Sequence, residues 1–169
     1  MTVAYLNPTA RAMVQTLSTA FGIGVQPGRA VLKASDIPLG DVTAMIEIVS
    51  NRFHASLAIG FNEQSLLSFT QFLLHETHLE LDETVVHIAG DVAVMIGGEL
   101  KRQFSAIGQD LKLKHPTIIV GYEAKIKHRI PGPKVVFPIN TEDGIVFLEV
   151  CVQTFASQSE DERKDYRAA

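Results

Sequence analysis

The chain has 169 residues, 46% hydrophobic and 20% charged, with a formal net charge of −4 at pH 7. That length fits one domain with a real core, and the composition is ordinary for a globular protein rather than a disordered or fibrous one. The negative balance gives no general attraction to nucleic acid or to an anionic membrane, and the single cysteine, Cys151, excludes an intrachain disulfide. No basic region followed by an apolar one opens the chain, and no apolar run approaches membrane-spanning length, so a cytoplasmic location is expected.

In chain order, the first element is "LNPTARAMVQTLSTAFGIG", where Asn7 suits a helix N-cap and Pro8 the first helical position. Met13, Val14, Leu17, Ala20 and Phe21 then recur at helical spacing, and Gly22 or Gly24 ends the helix. Residues 25–33 have strand character interrupted by Pro27 and Gly28. Residues 41–50 are strand-like, and residues 53–61 alternate cleanly. In the latter Phe53, Ala55, Leu57, Ile59 and Phe61 face one way, and Ser50-Asn51 before them marks a tight hairpin turn. Asn62 caps a second helix whose apolar side is Leu66, Leu67, Phe69, Leu73 and Leu74. A long helix is predicted over 82–107, with Asp82 and Glu83 matching its positive N-terminal end. Three further strands are predicted over 117–127, 134–139 and 145–155, with Asp143-Gly144 a strong hairpin turn before the last. A domain over 1–156 then gives way to a charged tail, "SQSEDERKDYRAA", over 157–169.

The order reads as a duplicated helix–β–β–β unit. "FGIGVQPGRAVL" and "AIGQDLKLKHPTIIV" occupy equivalent places, each carrying a helix end through glycine and proline into a strand. Hairpin-linked strands imply a mainly antiparallel sheet with helices packed on one face, an α+β fold.

Familiar catalytic signatures are missing: there is no phosphate-cradling glycine loop, no GxSxG and no CxxC. "HETHLELDETVVH" gathers His75, His78 and His87 among Glu76, Glu80, Asp82 and Glu83, but without the HExxH spacing that sets two ligands on one helical turn. It reads as a solvated acidic loop, and no metal is expected. Lys125, Lys127, His128 and Arg129 read as a solvated hairpin rather than a phosphate track. Cys151 lies in an apolar strand and reads as a buried, inert thiol.

The long helix carries the one unusual pattern. Val85, Ala89, Val92, Ile96 and Leu100 form a core stripe with Ile107, while His87, Asp91, Val94, Gly98 and Lys101 share the opposite face. His87 and Asp91 stand four apart, a spacing that permits an acid–base contact. Each glycine of Gly97-Gly98 costs about 1 kcal/mol against alanine in a helix interior, so the pair calls for a reason. Gly97 lies to the side, where it serves packing. Gly98 projects with Asp91 and Val94 and leaves room for another molecule.

The sequence resembles the CheX branch of the CheC/CheX/FliY chemotaxis phosphatase family. The resemblance rests on the Asn7-Pro8 start, "QPGRAVL", "LGDVTAMIEI", "MIGGELKRQF", "HPTIIVG" and "VVFPINTEDGIVFLEVCV", and it runs over residues 3–152. It implies a CheC-like fold, a CheY-type response regulator as partner and a homodimer paired through the sheets. It implies no cofactor of the chain's own, with Mg2+ supplied by the regulator. In that family an acid and an asparagine lie three apart on this helix. The asparagine amide orients water toward the regulator's aspartyl phosphate, and the acid pairs with the regulator's lysine.

On this chain the acidic position is Asp91 and the asparagine position is Val94. Valine neither donates to nor accepts from water, and losing such positioning costs on the order of a hundredfold in rate. The first helix offers Arg11, Gln15 and Thr16 but no acid-plus-asparagine pair. The resemblance therefore implies a regulator-binding domain with weak or no phosphatase activity, docking through His87, Asp91, Val94 and Gly98. The alternative is an active phosphatase that positions water with other groups, His87 and Asp91 among them. A third reading is a partner unrelated to chemotaxis.

Overall fold

The alternating segment 53–61 becomes a strand of that span at the centre of the molecule. In chain order the computed structural model contains α1 (Val3–Ala20), β1 (Val25–Pro27), β2 (Val31–Lys33), β3 (Val42–Val49), β4 (Phe53–Phe61), α2 (Glu63–Leu74), α3 (Glu83–Ser105), β5 (Lys112–Leu113), β6 (Thr117–Val120), β7 (Lys134–Thr141) and β8 (Gly144–Thr154). It describes residues 3–155, so the tail expected over 157–169 lies outside the described residues.

One antiparallel sheet of eight strands runs β1-β7-β8-β4-β3-β5, with β2 also on β7 and β6 also on β3. Duplication is built into this order. The hairpins β3–β4 and β7–β8 meet through β4 and β8, while each split strand crosses to the other half. Val25 and Lys33 sit opposite Thr141 and Lys134 on β7 as Lys112 and Val120 sit opposite Val49 and Val42 on β3. Neither half completes its sheet alone, so the exchange makes the two repeats one cooperative core.

The helices cover one face. Ala44, Ile46, Leu57, Ile59, Leu148 and Val150 meet Met13 and Leu17 of α1, Leu66 of α2, and Val92 and Ile96 of α3, all at most 1% exposed. Tyr5, Phe53 and Phe104 close one end of this layer, with ring centroids 4.4 to 6.2 Å apart. The cap of α2 is as predicted, and Asp82, expected as an acid inside the first turn of α3, is its N-cap. Ser65 N–H donates to Asn62 Oδ1 at 3.3 Å, and Val85 N–H to Asp82 Oδ1 at 2.9 Å.

Several expectations are corrected. Asn7 is not a cap: α1 starts at Val3, so Pro8 lies inside it and removes one ladder bond. The adjacent Thr9 hydroxyl donates to Tyr5 O at 2.7 Å, satisfying a carbonyl of the disturbed turn. The 25–33 strand is two strands, because the chain between them turns tightly against β7. There Gly28 N–H donates to Pro138 O at 2.7 Å, and a Cβ on Gly28 would stand 2.9 Å from Pro138 Cγ. Ile107 is 69% exposed, because α3 stops at Ser105 and Phe104 completes the core stripe instead.

The strand predicted over 117–127 ends at Val120, where Gly121 takes φ +80° and its N–H donates to Asp41 O. Residues 121–133 then form a strap over the sheet face away from the helices. Ile126, His128 and Ile130 point inward at period two, and Ile126 N–H bonds Asp36 O rather than a strand. His128 is therefore not on a solvated hairpin: its side chain is 3% exposed. Its Nδ1 lies 2.7 Å from Ser56 Oγ, and its Nε2 lies 3.0 Å from Glu149 Oε1. Lys33 Nζ donates to the other oxygen of Glu149 at 2.5 Å. Burial by itself pushes the Glu149 carboxyl up, but these two hydrogen bonds and the charges behind them win and hold it below its ordinary value. The strap is thus tied to β2, β4 and β8 by one buried polar cluster.

Candidate functional site

The position of α3 is set by two glycines a heptad apart. A Cβ on Gly90 would lie 3.3 Å from Ile118 Cδ1, and one on Gly97 would lie 3.1 Å from Leu113 Cδ1 and 3.2 Å from Ile46 Cδ1. These small residues let the helix settle onto β5 and β6, with Pro116 under Gly90. Gly97 thus serves packing, as expected. Gly90 was missed, although its spacing of seven from Gly97 was visible in the sequence.

With that stripe against the sheet, His87, Asp91, Val94, Gly98 and Lys101 face outward, all exposed. Val94 is 47% exposed, large for a β-branched apolar residue in a well-packed helix. A Cβ on Gly98 would meet no atom within 4 Å, so nothing in the fold requires glycine there. Asp91 and Val94 are separated by about 4.5 Å along the axis, less than one turn. Among the described residues no hydrogen bond or ion pair joins His87 to Asp91, so both side chains stay free for an outside partner. The stripe offers one carboxylate, one imidazole and an apolar patch with open space beside it. It offers no side-chain amide.

The acidic loop before α3 divides differently from its sequence appearance. His78 Nδ1 lies 2.6 Å from Asp82 Oδ2 and its Nε2 3.5 Å from Glu76, so His78 braces the N-cap of α3. The Asp82 hydrogen bond raises the His78 pKa above 6.5 despite desolvation. His75 ends α2 in the left-handed region at φ 58°, away from that contact. Among the described residues no group of three or more His, Cys, Asp or Glu is placed to hold a metal. Cys151 is 1% exposed with its pKa pushed up by burial, which makes it a poor nucleophile. Among the described residues no helix is long and apolar enough to cross a membrane.

Duplicated halves, an exchanged antiparallel sheet and a long helix with an exposed stripe place this fold with the CheC-like proteins. It is similar to a CheC-like superfamily protein from Shewanella sp. PV-4, at TM-score 0.79 and 27% identity over 90% of this chain and 99% of that one. It is also similar to the chemotaxis protein CheX from Vibrio vulnificus, at TM-score 0.78 and 26% identity over 89% and 100%. The CheX of a CheX–CheY–BeF3–Mg2+ complex from Borrelia burgdorferi shares the fold at TM-score 0.73 and 19% identity, over 88% and 97%. Sequence comparison with curated proteins finds no significant match. The chain belongs to the CheX family: the family described as chemotaxis phosphatase CheX matches residues 42–140.

Proposed function

We propose that this chain binds the receiver domain of a CheY-type response regulator through the outer stripe of α3, and that it does so with weak or no aspartyl-phosphate phosphatase activity. The observation that carries the reading is Val94, 47% exposed in the place where the resemblance expects an amide. Asp91 remains to pair with a lysine of the regulator, and Gly98 leaves space beside the contact. The Borrelia burgdorferi complex, which unites a CheX with CheY, BeF3 and Mg2+, supports both the partner and the source of the metal. A regulator that brings its own metal and phosphoryl group asks the phosphatase for little beyond a positioned water, and that is the part residue 94 no longer supplies. Residues 1–156 would form the binding domain, and a cytoplasmic location belongs to the same proposal.

The test is loss of aspartyl phosphate from the CheY-type regulators of the source organism, with and without the protein. Binding with little acceleration is expected, and Val94→Asn should raise the rate by about a hundredfold. Marked acceleration by the unaltered protein, abolished by Asp91→Ala, would overturn the reading in favour of an active phosphatase using Asp91 and His87. Homodimerisation through the sheets is part of the proposal. Val31 and Leu32 on the β2 edge are 51% and 74% exposed, as an edge awaiting a second sheet would be. Size-exclusion chromatography over a range of concentrations tests it.

A further inference from the structure

The docking stripe does not end at Gly98. One turn on, Arg102 stands at the mouth of a groove of about 430 Å³ between α3 and α1. Phe104, Ile107 and Pro8 give it apolar walls, and Arg11, Gln15 and Arg102 give it donors. Arg102 is held by Glu99, with Nε at 2.9 Å and a terminal nitrogen at 2.7 Å from the two carboxylate oxygens, yet its guanidinium keeps further N–H groups. Gln103 donates to Gln15 Oε1 at 3.3 Å, and among the described residues the Gln15 side-chain amide donates to none. Arg11 is exposed, and among the described residues no carboxylate pairs with it. Ile107 is 69% exposed at the groove's end.

Charge along α3 is therefore polarised. Glu83 and Asp91 mark its first half, Lys101 and Arg102 its second, and Arg11 of α1 extends the positive end, with Glu99 as the one acid there. Asp91 and Arg102 are about 16 Å apart along the axis, well inside the footprint of a standard interface of roughly 800 Å² per partner. A partner lying along α3 has to present a cation at Asp91 and carboxylates at the other end.

We propose that the α1–α3 groove is the second anchor of the docking face, taking an acidic segment of the regulator that carries an apolar side chain against Ile107 and Phe104. The inference rests on the reading of α3 as the regulator-docking helix. It names a contact at which affinity survives without the amide at residue 94, and it fixes the partner's orientation along the helix.

The experiment titrates a CheY-type regulator of the source organism, loaded with BeF3 and Mg2+, onto the full chain and onto Arg11→Glu and Asp91→Lys variants at two salt concentrations. Arg11→Glu should bind about tenfold more weakly, with a shallower salt dependence, at an unchanged thermal midpoint. Changing acidic residues of the regulator's contact segment to lysine should restore binding to Arg11→Glu. If Asp91→Lys loses binding while Arg11→Glu binds as the unaltered chain does, the groove is no anchor and the α3 reading stands. If the unaltered chain binds none of the regulators, both fail. Self-association that Arg11→Glu abolishes in the absence of regulator would assign the groove to a second copy of the chain and overturn the proposal.

Discussion

Truncating Glu149 to alanine probes the cluster that ties the strap to the sheet. Its carboxylate is 2% exposed, with Lys33 Nζ at 2.5 Å and His128 Nε2 at 3.0 Å. Removing it leaves the Lys33 ammonium, 7% exposed, without a counter-charge, and leaves the His128 ring N–H without its acceptor. Breaking a buried pair from one side costs about 3–5 kcal/mol. In a chain of this size each kcal/mol lowers the thermal midpoint by roughly 2–4 °C, so Glu149→Ala should melt about 6–20 °C below the unaltered protein. Lys33→Met with Glu149→Met should recover part of the loss, because no unpaired charge then stays buried, although His128 still lacks its acceptor. The effect also has a sign in pH. The folded carboxyl titrates below its ordinary value of 4.5, so its stabilisation is present above pH 4.5 and is lost as pH falls through the folded value. The gap between the unaltered chain and Glu149→Gln should narrow below pH 4.5. Chemical denaturation followed by circular dichroism at pH 7 and in acid measures both. A Glu149→Ala cost under about 1 kcal/mol, the range of an exposed pair, would mean that the cluster does not behave as a buried ion pair.

The paired glycines of α3 should respond differently, Gly98→Ala more favourably than Gly97→Ala. Gly98→Ala meets no atom and should gain up to about 1 kcal/mol of helix stability. Gly97→Ala must displace Leu113 and Ile46, and overpacking of this kind costs roughly 1–3 kcal/mol, offsetting the same gain. Denaturation midpoints in the reverse order would contradict the seating of the helix. His78→Ala should lower the melting temperature at pH 6 and much less at pH 9. The raised His78 pKa makes its contribution complete below 6.5 and lost as pH rises through the folded value. An equal loss at both pH values would show that the imidazole's charge is not what supports the cap.

Where local chemistry decides, the sequence was readable. Asn62 and Asp82 cap their helices because a short acceptor faces unpaired N–H groups, and β4 alternates large apolar residues under the helices with small or polar ones on its other face, which is buried too. Pro8 misled, since an N-terminal proline is compatible with both the first turn and a disturbed sixth position, and only what precedes it decides. His128 misled more. Its neighbours Lys125, Lys127 and Arg129 are exposed, and among them it read as part of a solvated hairpin. At the candidate site the outward stripe was visible from helical phase alone. The groove was not, because Arg11 and Arg102 lie far apart in the chain and meet only when α1 packs against α3.

By itself, then, the sequence determined the helix faces, the hairpins, the repeat and the residue that stands at position 94. Each of these follows from spacing within a few residues or from the order of elements. The tertiary structure alone decided that the repeats exchange their split strands, that Glu149, His128, Lys33 and Ser56 form one buried cluster, and that a cationic groove continues the stripe of α3. The reason is physical: a contact between residues distant along the chain depends on which surfaces bury each other, and no local periodicity encodes that choice.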